Sequence, residues 1–261
     1  MDPVRPSFLP DPEMARDAME EMQRDIAATA VFEDEHGIDP EAIALSEPLS
    51  LDWNDQSTNT SAPIVAGIDQ AFLDEEAVSA VVAVQEGQVI EVACGRTALE
   101  IPYIPGLLAF REGGPIVEAL RSLSVEPALL LLDGSGRIHF RQAGIATHIG
   151  VIFDVPAIGV AKRLLCGTPD IALEDPLLEG ERVPIAADED VSASAGTVIG
   201  YAFQSRQFPD PAERHVNPLY LSPGNRVSEV GAVDLVEALC SGYKLPEPIR
   251  LADRAAEECK D

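Results

Sequence analysis

The chain has 261 residues and a formal net charge of −27, because 45 Asp and Glu residues outnumber 18 Lys and Arg residues. Hydrophobic residues make up 46% of the chain, which is enough to fill a sizeable core and excludes a chain disordered throughout. The sequence has neither an apolar run of the roughly 20 residues that a membrane span needs nor a signal peptide pattern. We therefore expect a cytoplasmic protein with no membrane partner.

The acidic charge argues against a nucleic-acid partner, because attraction to phosphate normally comes from excess Lys and Arg. The acidic residues, however, concentrate in residues 1–61 and 174–190, whereas seven basic and six acidic residues lie between Arg96 and Cys166. The chain contains 15 Arg and three Lys, a composition that a saline cytoplasm favours. We interpret the net charge as a hypothesis about habitat.

The four cysteines, Cys94, Cys166, Cys240 and Cys259, are scattered singly along the chain. The sequence contains no Cys-x-x-Cys pair that would indicate a zinc site and no dense spacing that would indicate a disulfide framework. We expect all four cysteines to be plain thiols, either buried or without a role in the chemistry.

An amphipathic helix is predicted between Pro12 and Phe32, because apolar residues recur there at steps of three or four. These apolar residues are Met19, Met22, Ile26 and Ala30. Residues 33–61 have the acidic, aperiodic texture of a linker. We therefore expect residues 1–61 to form an acidic extension with one helix and residues 62–261 to form the main domain.

Three β-rich runs follow the extension, and they read PIVAGIDQAF, AVSAVVAVQ and QVIEVACGRTA. The pair Glu86-Gly87 separates the last two runs and is a tight-turn signal. We expect three neighbouring strands in an antiparallel meander. The next segment, LLAFREGGPIVEALRSL, has a helical pattern that Gly113, Gly114 and Pro115 should break into two pieces.

The run PALLLLDGSG is apolar up to Asp133 and is typical of a buried central strand. The following residues predict a helix from about Ala143 and a short strand at Ala157–Ala161. Further strands are predicted at GTVIGYAF and PLYLSPG, and further helices at Val227–Ser241 and Ile249–Glu258. This order indicates an α/β fold in which a mixed sheet carries helices on its faces.

Two carboxylates close two of the predicted strands, because Asp69 ends IVAGID and Asp133 ends LLLLD. A buried carboxylate without a partner is costly. If the two strands pair in parallel, both side chains reach one edge of the sheet and could hold Mg²⁺ or Mn²⁺ there. Glu112 could join them from the helix between the strands. The alternative is that Asp69 caps a turn and Asp133 begins a loop.

The glycine-rich segment DGSGRIHFRQAG contains Arg137, His139 and Arg141. Glycine backbone can approach a phosphate closely and Arg or His can stabilise its charge, although such segments are equally often plain turns. Lys162 follows a predicted strand and is either a functional cation or a solvent-facing residue. His148 lies in an apolar helical pattern, which favours a buried core residue over a ligand.

Residues 101–112 read IPYIPGLLAFRE and strongly resemble the PYIPGFLSFRE signature of endonuclease V, a family of nucleases of deaminated nucleic acid. Five further strings occur in the order that the family uses, namely VAGIDQAF, LLLLDGSG, DVPAIGVAKRLLCG, NPLYLSPGNRVS and GYKLPEPIRLAD. The resemblance covers roughly residues 62–258. It implies a ribonuclease H-like fold and a catalytic domain at residues 62–261.

The resemblance also implies Mg²⁺-dependent hydrolysis of the second phosphodiester bond 3′ to inosine in DNA, with a 5′-phosphate product and Mn²⁺ as a possible substitute. The catalytic residues that the match implies are Asp69, Glu112, Asp133, Asp253, His139 and Lys162. The first three of these would hold the metal. Asp253 is a fourth acidic candidate, and the last two resemble family residues near the scissile phosphate.

Tyr103, which lies between two nearby prolines, resembles the family's wedge, whose ring replaces the stacking of an extruded base. The base-pocket residues carried over by position are Gly106, Leu108, Gly134, Ile145, Gly159 and Leu165. Backbone N–H groups aimed at the hypoxanthine carbonyl would distinguish inosine from adenosine. The implied partner is therefore nucleic acid that contains deaminated bases, bound by a monomer.

Three positions depart from the family pattern, because Ser135 and Asn225 each replace a His and Phe140 replaces a Pro. These changes leave the acidic set intact. The acidic segment 174–190 has no counterpart in the resemblance. Two other functions stay open: an inosine-specific endoribonuclease, and a non-catalytic nucleic-acid-binding module, against which the intact acidic set argues.

Overall fold

The computed structural model describes residues 1–51, 60–173 and 176–260. Its helices are α1 Arg16–Thr29, α2 Pro40–Ile43, α3 Leu108–Ser122, α4 Ile145–Phe153, α5 Glu229–Ala238 and α6 Glu247–Glu258. Its strands are β1 Val65–Phe72, β2 Glu76–Gln85, β3 Gln88–Ala98, β4 Leu129–Asp133, β5 Ala157–Ala161, β6 Thr168–Pro169, β7 Arg182–Ala186, β8 Val198–Phe203 and β9 Leu219–Asn225. None of the helices in these ranges is long and apolar enough to cross a membrane.

The described strands form one mixed sheet in the order β3-β2-β1-β4-β5-β9-β8-β7-β6. Side chains alternate between its two faces, as they do in any strand. In β4, Leu130 and Leu132 pack with α3 and α4, whereas Leu129 and Leu131 pack with α5 on the opposite face. The predicted α/β fold, with helices on the faces of a mixed sheet, is confirmed.

The first three strands form the predicted antiparallel meander. At the turn between β2 and β3, Glu86 and Gly87 have φ angles of 49° and 71°. Positive φ at both central residues is what a two-residue hairpin needs, because its twist then matches that of the strands. The predicted turn at this position is therefore confirmed.

The fourth strand, β4, pairs in parallel with β1 on one side and with β5 on the other. The register aligns Ile68 with Leu132, and Asp133 with Val160. Asp69 and Asp133 each come directly after the first aligned pair. Asp133 ends β4, but β1 continues to Phe72, so the expectation that Asp69 also ends its strand is wrong. The parallel pairing that the predicted metal site required is thus confirmed.

The third helix, α3, is continuous, so the predicted break at Gly113, Gly114 and Pro115 is wrong. The two glycines lie where other segments approach the helix closely. A Cβ atom added to Gly113 would lie 2.6 Å from Cγ of Pro10, and one added to Gly114 would lie 3.2 Å from Oγ1 of Thr97. Tertiary packing along this buried helix outweighs the weak local helix preference of Gly and Pro.

The amphipathic helix predicted near the N-terminus is confirmed as α1. Its buried residues, Met19, Gln23 and Ile26, lie on one side of the helix. Ile26 packs with Val151 of α4, so α1 is fixed on the main domain. The division of the chain into residues 1–61 and residues 62–261 stays a prediction.

The predicted linker, residues 33–61, packs against the core where it is described. Ile38 and Ile43 are each 7% exposed and belong to the same apolar cluster as Val233 of α5. Isolated apolar residues in an acidic run give no periodic signal, which is why the sequence did not reveal this contact. The part of the linker prediction at residues 52–59 lies outside the described residues.

Cys94 of β3 and Cys259, which follows α6, form a disulfide with their Cα atoms 6.5 Å apart. The expectation that all four cysteines are plain thiols is therefore wrong for this pair. The two residues are 165 positions apart, and the packing of α6 beside the meander brings them together. Cys166 and Cys240 are free thiols, as expected.

The acidic segment 174–190 contains β7, which the sequence analysis did not predict. β7 pairs antiparallel with β8, and its Val183 and Ile185 are buried between less buried neighbours. Two apolar residues in a five-residue strand are too short an alternation to distinguish a strand from a loop. Glu174 and Asp175 of this segment lie outside the described residues.

Candidate functional site

Four carboxylates from four different elements line one cavity of about 550 Å³. They are Asp69 of β1, Glu112 of α3, Asp133 of β4 and Asp253 of α6. Parallel pairing of β1 and β4 brings the two strand carboxylates close to the carboxyl end of β4. Helices α3 and α6, on the two faces of the sheet, supply Glu112 and Asp253. We call these four residues the carboxylate edge. The structure therefore gathers all the acidic residues that the sequence indicated.

Asp69 is held in an unfavourable environment for a charged carboxylate. It is 7% exposed, and burial together with the charges of Asp133 and Asp253 raises its pKa to about 8. Its Oδ1 atom accepts a hydrogen bond from the backbone N–H of Gln70 at 2.7 Å. Its buried Oδ2 atom has no hydrogen-bond partner among the described residues. This oxygen is available to a bound cation, which would remove the cost of burying it.

Glu112 shares this environment. Burial raises its pKa, a hydrogen bond from Arg111 at 2.5 Å opposes the rise, and the charge of Asp133 adds to it. The Arg111 guanidinium lies 5.4 Å from the ring centre of Phe72, which also lines the cavity. Neither Arg111 nor Phe72 has a role that was predicted from the sequence. Their positions within the same motifs as Asp69 and Glu112 are the signal that could have indicated them.

Lys162 follows β5 and donates a hydrogen bond from Nζ to Oδ2 of Asp133 at 2.6 Å. Burial lowers the pKa of Lys162, but its hydrogen bond with Asp133 and the charges of Asp133, Asp69 and Asp253 outweigh that effect, so its pKa is raised overall. Lys162 is therefore charged at neutral pH. It neutralises part of the carboxylate edge and is not merely a solvent-facing residue.

The donor set of the carboxylate edge suits a hard divalent cation. Carboxylate oxygens are the protein ligands that Mg²⁺ and Mn²⁺ prefer, and Asp69 supplies one oxygen that has no other partner. In the described part of the chain, no group of three His, Cys, Asp or Glu residues is already arranged to hold a metal ion. Instead, Arg111 pairs with Glu112 and Lys162 pairs with Asp133, so these two cations balance the carboxylates.

Tyr103 lies in the loop between β3 and α3 and borders the same cavity. It is 61% exposed, which is unusual for a large aromatic side chain. Pro102 and Pro105 restrict the backbone on either side of it. An exposed ring on a stiff loop beside a cavity has the properties that a wedge needs, and the wedge role itself stays a prediction.

The six predicted pocket residues divide into two sets of three. Leu108, Gly134 and Leu165 line the cavity, whereas Gly106, Ile145 and Gly159 are not among its lining residues. Ile145 and Gly159 pack closely against Gly134. A Cβ atom added to Gly134, whose φ is 149°, would lie 2.6 Å from Cγ2 of Ile145. A Cβ atom added to Gly159 would lie 2.6 Å from the Gly134 carbonyl oxygen. Close packing of bare backbone thus forms the cavity wall.

His139 is 3% exposed and is not among the residues that line the cavity. Its Nδ1 atom accepts a hydrogen bond from the backbone N–H of Arg141 at 3.2 Å, so Nε2 carries the proton and donates to the Gly106 carbonyl at 3.1 Å. Burial and then the charge of Arg141 lower its pKa to about 4. His139 is therefore a neutral supporting residue here, and its predicted phosphate contact stays a prediction.

His148 and Asn225 serve the packing of α4. His148 is fully buried, its Nε2 atom donates to the carbonyl of Phe8 at 2.7 Å, and burial lowers its pKa to about 4. This confirms the expectation of a buried core residue, although the Nδ1 atom has no hydrogen-bond partner among the described residues. Asn225 donates from Nδ2 to the carbonyl of Gly150 at 3.2 Å and accepts the Val31 N–H at 3.2 Å. Asn225, which departs from the family pattern, therefore links strand β9 to α4 and to the N-terminal segment by hydrogen bonds.

A sequence profile of the family described as Endonuclease V matches residues 47–254. The chain is 60% identical to Endonuclease V of Halobacterium salinarum over 259 residues, which are 98% of this chain and 98% of that protein. It is 56% identical to Endonuclease V of Haloarcula marismortui over 99% of this chain and 97% of that protein. Both relatives come from halophilic archaea, which agrees with the acidic, lysine-poor composition.

Solved structures agree with the sequence match. The catalytic domain of human Endonuclease V has a TM-score of 0.74 at 30% identity, with 96% of this chain and 97% of that chain covered. The ribonuclease H-like fold that the sequence indicated is thereby confirmed. By this fold, by the profile and by its identity to the halophilic relatives, the chain belongs to the endonuclease V family of DNA repair nucleases.

Proposed function

We propose that the chain is a divalent-metal-dependent endonuclease that cleaves the second phosphodiester bond 3′ to inosine in DNA. The observation that carries this proposal is the carboxylate edge, where the parallel pairing of β1 and β4 brings Asp69 and Asp133 to one cavity that Tyr103 borders. Membership of the family points to a divalent metal cofactor. We infer Mg²⁺, with Mn²⁺ as a substitute, because both ions favour carboxylate oxygens.

Hydrolysis of a phosphodiester needs an activated water molecule and compensation for the charge of the phosphate. A bound divalent cation supplies both, because it lowers the pKa of water and draws charge from the phosphate oxygens. Asp69, Glu112 and Asp133 would hold this cation, with Asp253 as a further acidic group. Water attacks the phosphorus and the bond to the 3′ oxygen breaks, which leaves a 3′-hydroxyl group and a 5′-phosphate.

Lys162 would compensate charge on the scissile phosphate. Its ammonium group lies at the cavity. Among the described residues, Asp133 is the one hydrogen-bond acceptor of this group. If Asp133 held a metal ion, Lys162 would donate to a phosphate oxygen instead. His139 would act differently, by holding the Gly106 turn between Tyr103 and Leu108, which both line the cavity.

Tyr103 and the glycine-rich wall would select an extruded hypoxanthine. An aromatic ring that replaces lost base stacking contributes about 1–3 kcal/mol. Gly134 brings bare backbone to the cavity, and the apolar side chains of Leu108 and Leu165 would cover the faces of the purine. Backbone N–H groups can donate to the carbonyl of hypoxanthine, whereas the amine of adenine would leave them unpaired.

Cleavage of matched oligonucleotides tests this proposal. The substrates are DNA and RNA strands that carry either inosine or adenosine at one position, incubated with Mg²⁺ in low and in molar KCl. We expect Mg²⁺-dependent cleavage of inosine DNA, slowed on the order of 10³-fold by Asp133→Ala. Glu118→Ala is the matched control, because Glu118 is an exposed carboxylate on α3 that does not line the cavity.

Three outcomes contradict the proposal. A clear preference for inosine RNA would make the chain an endoribonuclease. Binding of inosine strands without cleavage would make it a non-catalytic module. An Asp133→Ala variant as active as the wild type would remove the carboxylate edge from the mechanism.

A further inference from the structure

The N-terminal helix α1 carries one polar residue on its buried side. Gln23 is 1% exposed and lies between Met19 and Ile26, which are 4% and 0% exposed. Burial of an amide is unfavourable unless its donors and acceptor are paired. An apolar residue would therefore be the simpler choice if α1 served only to cover the core.

The Gln23 amide is paired at both ends, and all of its partners belong to the loops around the candidate site. Its Nε2 atom donates to the carbonyl of Gly106 at 2.8 Å and to that of Ala143 at 3.4 Å. Its Oε1 atom accepts a hydrogen bond from Nε of Arg141 at 2.8 Å. His139 donates to the same Gly106 carbonyl at 3.1 Å. We call Gln23, His139, Arg141 and Gly106 the turn network.

The Gly106 carbonyl thus receives two side-chain hydrogen bonds from segments that are 83 and 33 residues away. Gly106 has a φ of 81°, a conformation that side chains disfavour, and it ends the loop that carries Tyr103. Gly106 lies two residues before Leu108, which begins α3 and lines the cavity. The orientation of this one peptide group therefore relates the Tyr103 loop to the cavity wall.

The apolar part of α1 holds the same turn from the side. Met19 packs in one cluster with Leu107 and Phe110, against which Ile104 is also placed. Packing of this kind fixes the distance of the helix from the turn, but it does not fix the rotation of a peptide plane. Directional hydrogen bonds do, because they weaken steeply when donor and acceptor are misaligned.

We propose that Gln23 is a positioning residue for recognition of the deaminated purine. By its hydrogen bond to the Gly106 carbonyl, Gln23 fixes the orientation of the peptide group that lies between Tyr103 and Leu108. This inference rests on the proposed function. It gives the N-terminal helix a part in substrate selection in addition to its part in the core.

Two substitutions of Gln23 and one control separate this role from simple packing. Gln23→Met keeps the length and volume of the side chain and removes both of its polar ends. Gln23→Glu keeps the acceptor for Arg141 and replaces the donor to Gly106 by an oxygen. Arg24→Met is the control on the same helix, because Arg24 is exposed and pairs only with the exposed Glu21 in the described structure.

The measurements are single-turnover cleavage of inosine DNA at saturating enzyme, the ratio of inosine to adenosine cleavage, and the fluorescence of a 2-aminopurine placed beside the inosine. We expect Gln23→Met and Gln23→Glu to slow cleavage about 10-fold and to reduce both the inosine preference and the fluorescence rise that reports unstacking. Arg24→Met should match the wild type in all three. The melting temperature, measured in parallel, shows the fraction of folded protein at the assay temperature.

Wild-type cleavage and fluorescence in both folded Gln23 variants would overturn the inference. So would a loss of rate that merely follows the unfolded fraction and leaves the inosine preference unchanged. If wild-type protein fails to cleave inosine DNA, the proposed function fails and this inference fails with it. If wild-type protein cleaves and Asp133→Ala does not, the proposed function stands whatever the Gln23 variants show.

Discussion

The carboxylate edge and the turn network both adjoin the Tyr103 loop, and each contains an ionisable side chain whose pKa is shifted by burial. In the carboxylate edge, burial and neighbouring charges raise the pKa of Asp69 to about 8. In the turn network, burial and the charge of Arg141 lower the pKa of His139 to about 4. Both groups are thereby biased toward their neutral forms, because a low-dielectric environment disfavours charge.

The two regions differ in how their hydrogen bonds are satisfied. Gln23 and His139 have partners at both ends of their side chains, whereas Asp69 keeps a buried oxygen without one among the described residues. A satisfied network fixes geometry, whereas the buried Asp69 oxygen remains available to a bound cation. In this fold, one set of residues, the turn network, stabilises the shape of the site, and a separate set, the carboxylate edge, is available to bind a metal ion.

The largest effect expected is on the carboxylate edge. Asp69→Asn removes a charged ligand and should slow cleavage of inosine DNA on the order of 10²- to 10³-fold, measured at saturating Mg²⁺. The metal-free variant should be at least as stable as the wild type, because the substitution removes an unfavourably buried acid. A variant that loses activity only because it unfolds would break the comparison, since Asp69 would then belong with the structural residues.

The disulfide lies outside both regions and sharpens the comparison. Cys94→Ser with Cys259→Ser should lower the free energy of unfolding by about 2–4 kcal/mol, because the cross-link closes a long loop in the unfolded chain. Denaturant unfolding measures this change. Cleavage of inosine DNA by the folded double variant should stay within about twofold of the wild type. A larger loss of activity would show that the end of α6 positions Asp253 through the disulfide.

Tyr103→Ala should have a smaller effect, on the order of 1–3 kcal/mol of transition-state stabilisation, if the ring replaces the stacking of the extruded base. Tyr103→Phe is the matched control and should be close to the wild type, because it keeps the aromatic face. Both are measured as kcat/KM on inosine DNA. Equal activity of all three proteins would exclude a wedge at this position and leave the turn network without a wedge to hold.

The smallest effect expected is a difference in how stability depends on pH in the metal-free protein. Asp69 has a higher pKa folded than unfolded, so its contribution to stability is present below about pH 4 and is lost as the pH rises towards 8. His139 has a lower pKa folded than unfolded, so its contribution is lost as the pH falls from 6.5 towards 4.

Thermal unfolding of the wild type and of Asp69→Asn between pH 6.5 and 8 isolates the Asp69 contribution, because the two proteins share the effects of His139 and His148. We expect the wild type to lose about 1 kcal/mol of stability across this interval and Asp69→Asn to lose less. Parallel curves for the two proteins would contradict the raised pKa of Asp69. Addition of Mg²⁺ should flatten the wild-type curve, because a bound cation favours the ionised carboxylate.

The carboxylate edge could be predicted from the sequence because its signal is local. Asp133 ends β4 and Asp69 lies three residues before the end of β1, and the parallel pairing of these strands brings the two carboxylates together. The turn network could not be predicted in this way, because Gln23 and Gly106 are 83 residues apart in the sequence. A single polar residue in an amphipathic helix also gives no recognisable pattern. The same holds for Cys94 and Cys259, which gave no spacing signal.

Local rules also failed where tertiary packing overruled them. Gly113, Gly114 and Pro115 predicted a broken helix, yet α3 is continuous, and Pro10 leaves no room for a side chain at Gly113. Ile38 and Ile43 looked like isolated apolar residues in an acidic linker and instead complete the core beside α5. In each case the deciding contact came from a segment far away in the sequence.

Calorimetric titration of the metal-free protein with Mn²⁺ at pH 7.5 tests the central claim most directly. The carboxylate edge predicts a binding event that Asp69→Asn and Asp133→Asn each weaken strongly and that Glu118→Gln, the exposed carboxylate of α3, leaves unchanged. If all four proteins bind Mn²⁺ alike, or if none binds it, the carboxylates of β1 and β4 do not form a metal site.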